Sequence, residues 1–193
     1  MRNFISEDDI EQAILQKLEG DPFQYGILRC DPSPDKRELL PDGTGRSSKK
    51  ECVLPLILRE ALARLNPDIP GEKLEEIARD LCRDFSATDM TATNYKYCNQ
   101  IRNGIKISLR RNGKEDFDFV KLVDFDRPEN NTFTAVSQMW IQGRVYWRRP
   151  DVLIFINGLP MVFVELKNSI VKVEEAYNAV SYTHLRAHET VLD

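Results

Sequence analysis

RRPDVLIFINGLPMVFVELKNS, residues 148–169, reads as two apolar strands around a turn, with Asp151 at one end and Glu165 and Lys167 at the other. Strands are depleted in Asp, Glu and Lys, so three of them bracketing one hairpin need a reason. DVLIFI (151–156) and MVFVELK (161–167) run apolar, and Asn157-Gly158 between them is a hairpin-turn signal. Side chains alternate along a strand, so Glu165 and Lys167 share a face and Leu166 points the other way. Parity decides whether Asp151 joins them. A strict two-residue loop at Asn157-Gly158 would oppose Asp151 to Val164 and separate the carboxylates. A three-residue loop, or one bulge, brings Asp151 and Glu165 to the same side, and Gly158 can supply the positive φ that such a bulge needs.

Two carboxylates on one face make a hard oxygen site suited to Mg²⁺, with waters filling the other positions and the Leu166 carbonyl as a further oxygen. A metal there lowers the pKa of a bound water and holds a phosphate oxygen. Lys167 beside it can orient the attacking water or offset charge on the phosphate. That combination is a phosphodiester hydrolysis site. Glycoside hydrolysis also uses two carboxylates, but the adjacent Lys and the flanking Arg148 and Arg149 suit a phosphate better. Taken singly, Glu-x-Lys on a strand is commonly a solvated face and Pro-Asp commonly a turn. The hairpin context is what raises them above that.

Outward from the hairpin, Ser6-x-x-Asp9 predicts a helix start, running through DDIEQAILQKLEG to Gly20. Ile10, Ile14, Leu18 and Leu15 form one stripe, and Glu11 falls inside it. A carboxylate there is costly unless compensated. It either reaches water from the stripe edge or packs beside the hairpin, turned toward Lys167 or a metal. Residues 21–50, rich in Pro, Gly, Ser and charge, predict a long irregular connection or lid. Helices are expected over 51–65, 71–84 and 92–102, with Pro55 tolerated in a first turn. Strands are expected over 105–110, 116–125, 132–141, 151–156 and 161–167, with a second hairpin signal at Asn112-Gly113, and a closing helix over 171–180. Helices, a strand block and a helix predict a layered α/β (α+β) domain.

The chain of 193 residues is long enough for one ordinary domain. No apolar run approaches the roughly 20 residues of a membrane helix, and the acidic start MRNFISEDDIEQ is unlike a signal peptide. Cys30, Cys52, Cys82 and Cys98 lie in no C-x-x-C pair, remote from both His, which predicts buried free thiols in a reducing cytoplasm rather than a zinc site. A net charge of −4 is no global nucleic-acid signature, so DNA contact would need a local patch. Arg148 and Arg149 are the better candidates. QIRNGIKISLRRNGK (100–114), with Lys106 and Arg110, is either a backbone-steering patch or a solvated hairpin edge. Trp140 and Trp147 flank a turn and read as packing residues. The final SYTHLRAHETVLD (181–193) resembles a translated sequencing-adapter tail, its rival being an authentic helix end, and is set aside as suspect.

Pro150-Asp151 followed by Glu165-x-Lys167 across a strand hairpin resembles the PD-(D/E)xK nuclease signature. DFDRPENNTFTAVSQMWIQG together with RRPDVLIFINGLPMVFVELKNS is similar, more specifically, to the N-terminal nuclease domain of the R subunit of type I restriction enzymes. Asn131-x-Phe133, Gln138, Arg149-Pro150-Asp151, Asn157-Gly158-x-Pro160 and Glu165-Leu166-Lys167 carry the likeness, which is strong over 115–180. It implies a restriction-endonuclease-like core over 1–180, a mixed central sheet flanked by helices, that cuts double-stranded DNA without its own sequence specificity. It implies Mg²⁺ at Asp151 and Glu165 and a catalytic Lys167, and Glu11 matches an acidic residue on the first core helix of such folds. It also implies a longer full-length subunit with a helicase-like motor that uses ATP, at a site absent from this fragment, and that docks on methyltransferase and specificity subunits. One departure stands out. Ala179 and Thr183 occupy the places where the family often carries Gln-x-x-x-Tyr, with Tyr182 one position off. The rival readings are a PD-(D/E)xK nuclease of repair or mobile-element cleavage, and a decayed nuclease fold that binds DNA or docks. The intact Asp, Glu and Lys argue against decay.

Overall fold

The computed structural model describes residues 6–83, 90–111, 114–143 and 145–167. The elements are α1 (Glu7–Glu19), β1 (Gly26–Arg29), α2 (Pro55–Leu65), α3 (Gly71–Leu81), α4 (Met90–Asn103), β2 (Ile105–Arg111), β3 (Lys114–Val120), β4 (Phe133–Ser137), β5 (Ile141–Gln142), β6 (Trp147–Arg148), β7 (Val152–Ile156) and β8 (Leu159–Val164). β1, β4, β7 and β8 form the central sheet in that order. β1 runs parallel to β4, and the other pairs are antiparallel. The sheet is therefore mixed.

Alternation along β7 explains its unbroken apolar run. Val152 and Ile154 pack with Leu15 of α1, Ala135 and Val164 on one face. Leu153 and Phe155 pack with Leu54, Ile57, Val136 and Met139 on the other. Both faces are covered by helices, so no position of the strand is left for a polar residue. Leu15 and Phe155 are fully buried, each worth about 2 kcal/mol relative to exposure. The expected mixed sheet flanked by helices is what forms. A third cluster joins α2 and α3 to Val120, Leu122 and Val123, with Tyr97 and Ile101 of α4 and Ile105, Ile107 and Leu109 of β2 against it.

Local chemistry sets the ends. Ser6 caps α1: its Oγ accepts from the Asp9 N–H at 3.1 Å and its own N–H donates to Asp9 Oδ2 at 2.9 Å, a reciprocal cap. Pro55 opens α2 at the first position, where its missing N–H costs nothing. The helix starts there and not at 51, because Leu54 is extended and its N–H donates to the Gly158 carbonyl at 2.8 Å. Gln138, at φ 55°, breaks the predicted 132–141 strand into β4 and the short β5. Residues 121–125 leave the strand conformation. Asn66 pins their start through Lys121, accepting from its N–H at 2.7 Å and donating to its carbonyl at 2.9 Å.

The 21–50 stretch is not wholly irregular. β1 lies inside it, an edge strand paired with a partner about a hundred residues later in the chain. Residues 42–51 are held by a buried ion cluster. Arg46, with a side chain 0% exposed, donates to Asp42 Oδ2 at 2.7 Å, to the Glu51 carbonyl at 2.9 Å and to the Trp140 carbonyl at 3.1 Å. Lys49 donates to the same Asp42 oxygen at 2.7 Å. Burial would raise the Asp42 carboxyl, but hydrogen bonds from Lys49 and Thr44 and the Arg46 charge hold it well below the usual carboxylate range. All four cysteines are free, but only Cys30 is buried, whereas Cys52 and Cys98 are exposed. The expected burial of the thiols therefore holds for one of them. The predicted 171–180 helix, the 181–193 tail and the Asn112-Gly113 turn lie outside the described residues.

Candidate active site

The turn between β7 and β8 has two residues. Asn157 at φ 53° and Gly158 at φ 80° are the positive-φ pair of a type I′ turn. Asn157 is fully buried and its side chain is saturated: Oδ1 accepts from the Thr132 N–H at 2.8 Å, and Nδ2 donates to the Leu122 carbonyl at 2.9 Å and to Asn131 Oδ1 at 2.8 Å. The parity correction comes further along. Phe155 opposes Pro160, but Ile154 opposes Val162, so Met161 is an extra residue on β8. The bulge is thus at Met161, not at Gly158. The ladder ends at Val152 opposite Val164. One residue further out, the shifted register sets Asp151 across from Glu165.

The two carboxylates interact. Burial first, and the Asp151 charge second, raise the Glu165 carboxyl above its ordinary pKa, with Lys167 partly offsetting them. Lys167 Nζ lies 3.4 Å from Glu165 Oε1, and both side chains are 29% exposed. Asp151 Oδ2 accepts from the Leu166 N–H at 2.6 Å, and its Oδ1 accepts from Gln138 Nε2 at 3.4 Å. The Asp151 carbonyl accepts from the Gln138 N–H at 3.0 Å. Asp151 is therefore held by Leu166, two residues past β8, on one side and by Gln138, just past β4, on the other.

α1 supplies the next layer. Glu11 is only 5% exposed, deeper than the Ile10 and Ile14 of its stripe. Its carboxylate accepts from Gln138 Nε2. Burial raises its pKa, the Gln138 hydrogen bond lowers it, and the charges of Asp151 and Asp8 raise it again. The expectation that the helix packs beside the hairpin holds. The partner is Gln138 and not Lys167, which pairs with Glu165 instead. Glu7, one turn earlier on the same helix face, also adds to the rise at Glu165.

Arg149 sits at this site. Its charge reaches Glu11, its guanidinium donates to the Pro32 carbonyl, and it lies over the Trp140 ring at 5.1 Å. Arg148 lies over Tyr146 at 5.8 Å. Trp140 and Trp147 meet edge to face at 6.4 Å, the packing role expected of them. Lys106 and Arg110 are not gathered here. They lie on β2, in a separate sheet with β3. Lys106 stands over the Phe117 ring at 4.2 Å, and Arg110 pairs in register with Glu115. Of the acids on β3 only Glu115 opposes a basic residue, since Asp116 and Asp118 stand opposite Leu109 and Ile107 and Lys114 opposite Arg111.

Among the described residues, no three His, Cys, Asp or Glu side chains converge into a ready metal cage. The acidic groups gathered here are Asp151 and Glu165, with Glu11 joined to Asp151 through Gln138. Cavities of about 110 Å³, beside Asp80, Tyr97 and Gln100, and about 270 Å³, beside Gly104, Phe119 and Asp126, lie away from these groups. Gln138 matters more than its place in a motif suggests. Its amide is the junction between Glu11 and Asp151, and its left-handed backbone is a signal only three-dimensional structure exposes.

No helix among the described residues is long and apolar enough to cross a membrane. A type I restriction enzyme endonuclease subunit of Haemophilus influenzae, HindI, is 32% identical over 167 residues, covering 86% of this chain and 15% of that protein. A Methanocaldococcus jannaschii protein, likewise named as such an endonuclease subunit, is 28% identical over 82% of this chain and 15% of its own length. One from Staphylococcus aureus is 36% identical over 39% of this chain and 8% of its own. The chain thus spans about 15% of the length of the first two relatives. The model of a family described as the type I restriction enzyme R protein N terminus matches residues 4–189, and the chain belongs to that family.

Proposed function

We propose that this chain is the Mg²⁺-dependent DNA endonuclease domain of a type I restriction R subunit, built on a PD-(D/E)xK core. The observation that carries the proposal is the Met161 register shift, which sets Asp151 across from Glu165 with Lys167 two residues on. Without that extra residue the same sequence would separate its carboxylates.

The chemistry of the donor set fits the ion. Mg²⁺ takes one or two carboxylates and keeps several waters, and two carboxylates with a carbonyl are what this hairpin base offers. Burial first and the Asp151 charge second raise the Glu165 pKa, with Lys167 only partly offsetting them, and a divalent cation beside the carboxylates would favour their charged forms. Asp151, Glu165 and the Leu166 carbonyl would hold the ion, which when bound acidifies water and draws charge from a phosphodiester oxygen. The Leu166 N–H and Gln138 fix the Asp151 carboxylate. Lys167 orients the attacking water or offsets the charge that builds on the phosphate. Arg148 and Arg149, next to Asp151 in sequence, are the candidates for holding the DNA backbone.

The remainder of a full-length subunit would supply an ATP-driven motor, and methyltransferase and specificity subunits would bring the sequence recognition, in the cytoplasm. Nicked and linear plasmid formed by the complete enzyme, in Mg²⁺ or in Ca²⁺, tests the proposal. Mg²⁺ should support cleavage. Ca²⁺ should support DNA binding without it, since the larger ion holds looser geometry and acidifies water less. Equal cleavage in Ca²⁺ or in EDTA would refute the metal role.

A further inference from the structure

Resting on that reading of the site, we propose that Gln138 is a positioning residue through which Glu11 fixes the Asp151 carboxylate. Three observations carry it. The Gln138 Nε2 donates to both Glu11 and Asp151, so one amide joins α1 to the hairpin base. The amide turns its NH₂ toward the two carboxylates, which accept in their ionised forms. Its Oε1 is left buried without a partner, an arrangement proteins rarely tolerate without a reason.

The backbone adds a second cost. Gln138 sits at φ 55°, where Gly is preferred and an L side chain is strained. A site under pressure only for stability would place Gly here. A long amide is kept instead, with its N–H and its side chain both committed to Asp151. Glu11 in turn has Gln138 as its hydrogen-bond partner and is 5% exposed. Glu11 therefore acts one bond removed: it holds the amide, and the amide holds the carboxylate. This differs from a Glu11 that itself ligates the metal.

The test is Mn²⁺ titration of the 193-residue chain by calorimetry, read as affinity and stoichiometry separately. Gln138→Gly removes the side chain while relaxing the backbone, and should weaken Mn²⁺ binding by about tenfold, the usual effect of losing a partner that orients a ligand. Stoichiometry should stay at the wild-type value. Loss of folded protein would do the reverse, lowering stoichiometry and leaving affinity intact. Glu11→Gln should weaken binding similarly, and the double variant should be no weaker than either single, since both break one relay. Unchanged affinity in Gln138→Gly, or additive losses in the double variant, would overturn the relay. Asp151→Ala separates the two levels. If it abolishes Mn²⁺ binding while Gln138→Gly leaves it intact, only the relay falls. If Asp151→Ala binds like wild type, the site reading falls with it.

Discussion

Gly158 shows how much of a motif serves the fold and not the chemistry. A Cβ built there would lie 2.6 Å from the Leu54 carbonyl oxygen and 2.8 Å from the Leu58 nitrogen, at a φ of 80°. Gly158→Ala should therefore destabilise the chain by about 2–4 kcal/mol, combining left-handed strain with a clash that backbone atoms cannot absorb. Chemical denaturation measures it, and a loss under about 1 kcal/mol would mean that the turn and α2 part easily. Asn157 and Asn131 belong to the same class, since Asn157 satisfies the Thr132 N–H and the Leu122 carbonyl, and Asn131 the Asp124 N–H and carbonyl. Glu165 is proposed for the other class. Its folded pKa is raised, so the stability it contributes is present below the ordinary Glu value, about 4.3, and is lost as pH rises through the raised one. Glu165→Gln stays neutral and escapes that loss. Without metal at neutral pH it should be at least as stable as wild type. Added Mg²⁺ should stabilise wild type by about 1.4 kcal/mol at ten times its Kd and the variant by less. Thermal denaturation with and without Mg²⁺ reads both effects, and a metal-free variant clearly less stable than wild type would contradict the assignment.

At the scale of elements, the 42–51 segment is held by charge. Asp42 is the shared acceptor of Arg46 and Lys49, whose side chains are 0% and 5% exposed. Asp42→Ala strands two buried cations and should cost about 3–5 kcal/mol. Because the Asp42 pKa is depressed in the fold, its contribution is present above the ordinary Asp value, about 3.9, and fades as pH falls toward the depressed one. The acid limb of wild-type stability should flatten in the variant, which a pH series of denaturant midpoints would show. This cluster was not legible in the sequence, because nothing local marks which charges in a polar stretch become buried. β1 was missed for a related reason. Four residues, GILR, show too little alternation to read as a strand, and their parallel partner β4 is remote. The α1 cap, Pro55, the hairpin and the covered faces of β7 were legible because turn chemistry and periodicity are local. Glu11 was legible as an anomaly on an apolar stripe. Its partner was not, because Gln138 reaches it only once the sheet is assembled.

At the scale of the molecule, the sheet is mixed with helices on both faces, and α1 and Gln138 adjoin the carboxylates at the base of the β7–β8 hairpin. Asp151, Glu165 and Lys167 act as one unit in this account, so a Glu165→Ala, Lys167→Ala double variant should be barely worse than either single. The chain spans about 15% of its first two relatives, and DNA delivery is assigned to the remainder of such a subunit, so the decisive assay uses the full-length enzyme with its partner subunits. Plasmid cleavage is followed as nicked and linear product, with ATP hydrolysis measured in the same reactions, for wild type and for Asp151→Ala, Glu165→Ala and Lys167→Ala. Cleavage should be abolished in all three variants while ATP hydrolysis persists at the wild-type rate. Wild-type cleavage by the Glu165→Ala or Lys167→Ala enzyme would contradict the assignment of phosphodiester hydrolysis to this hairpin.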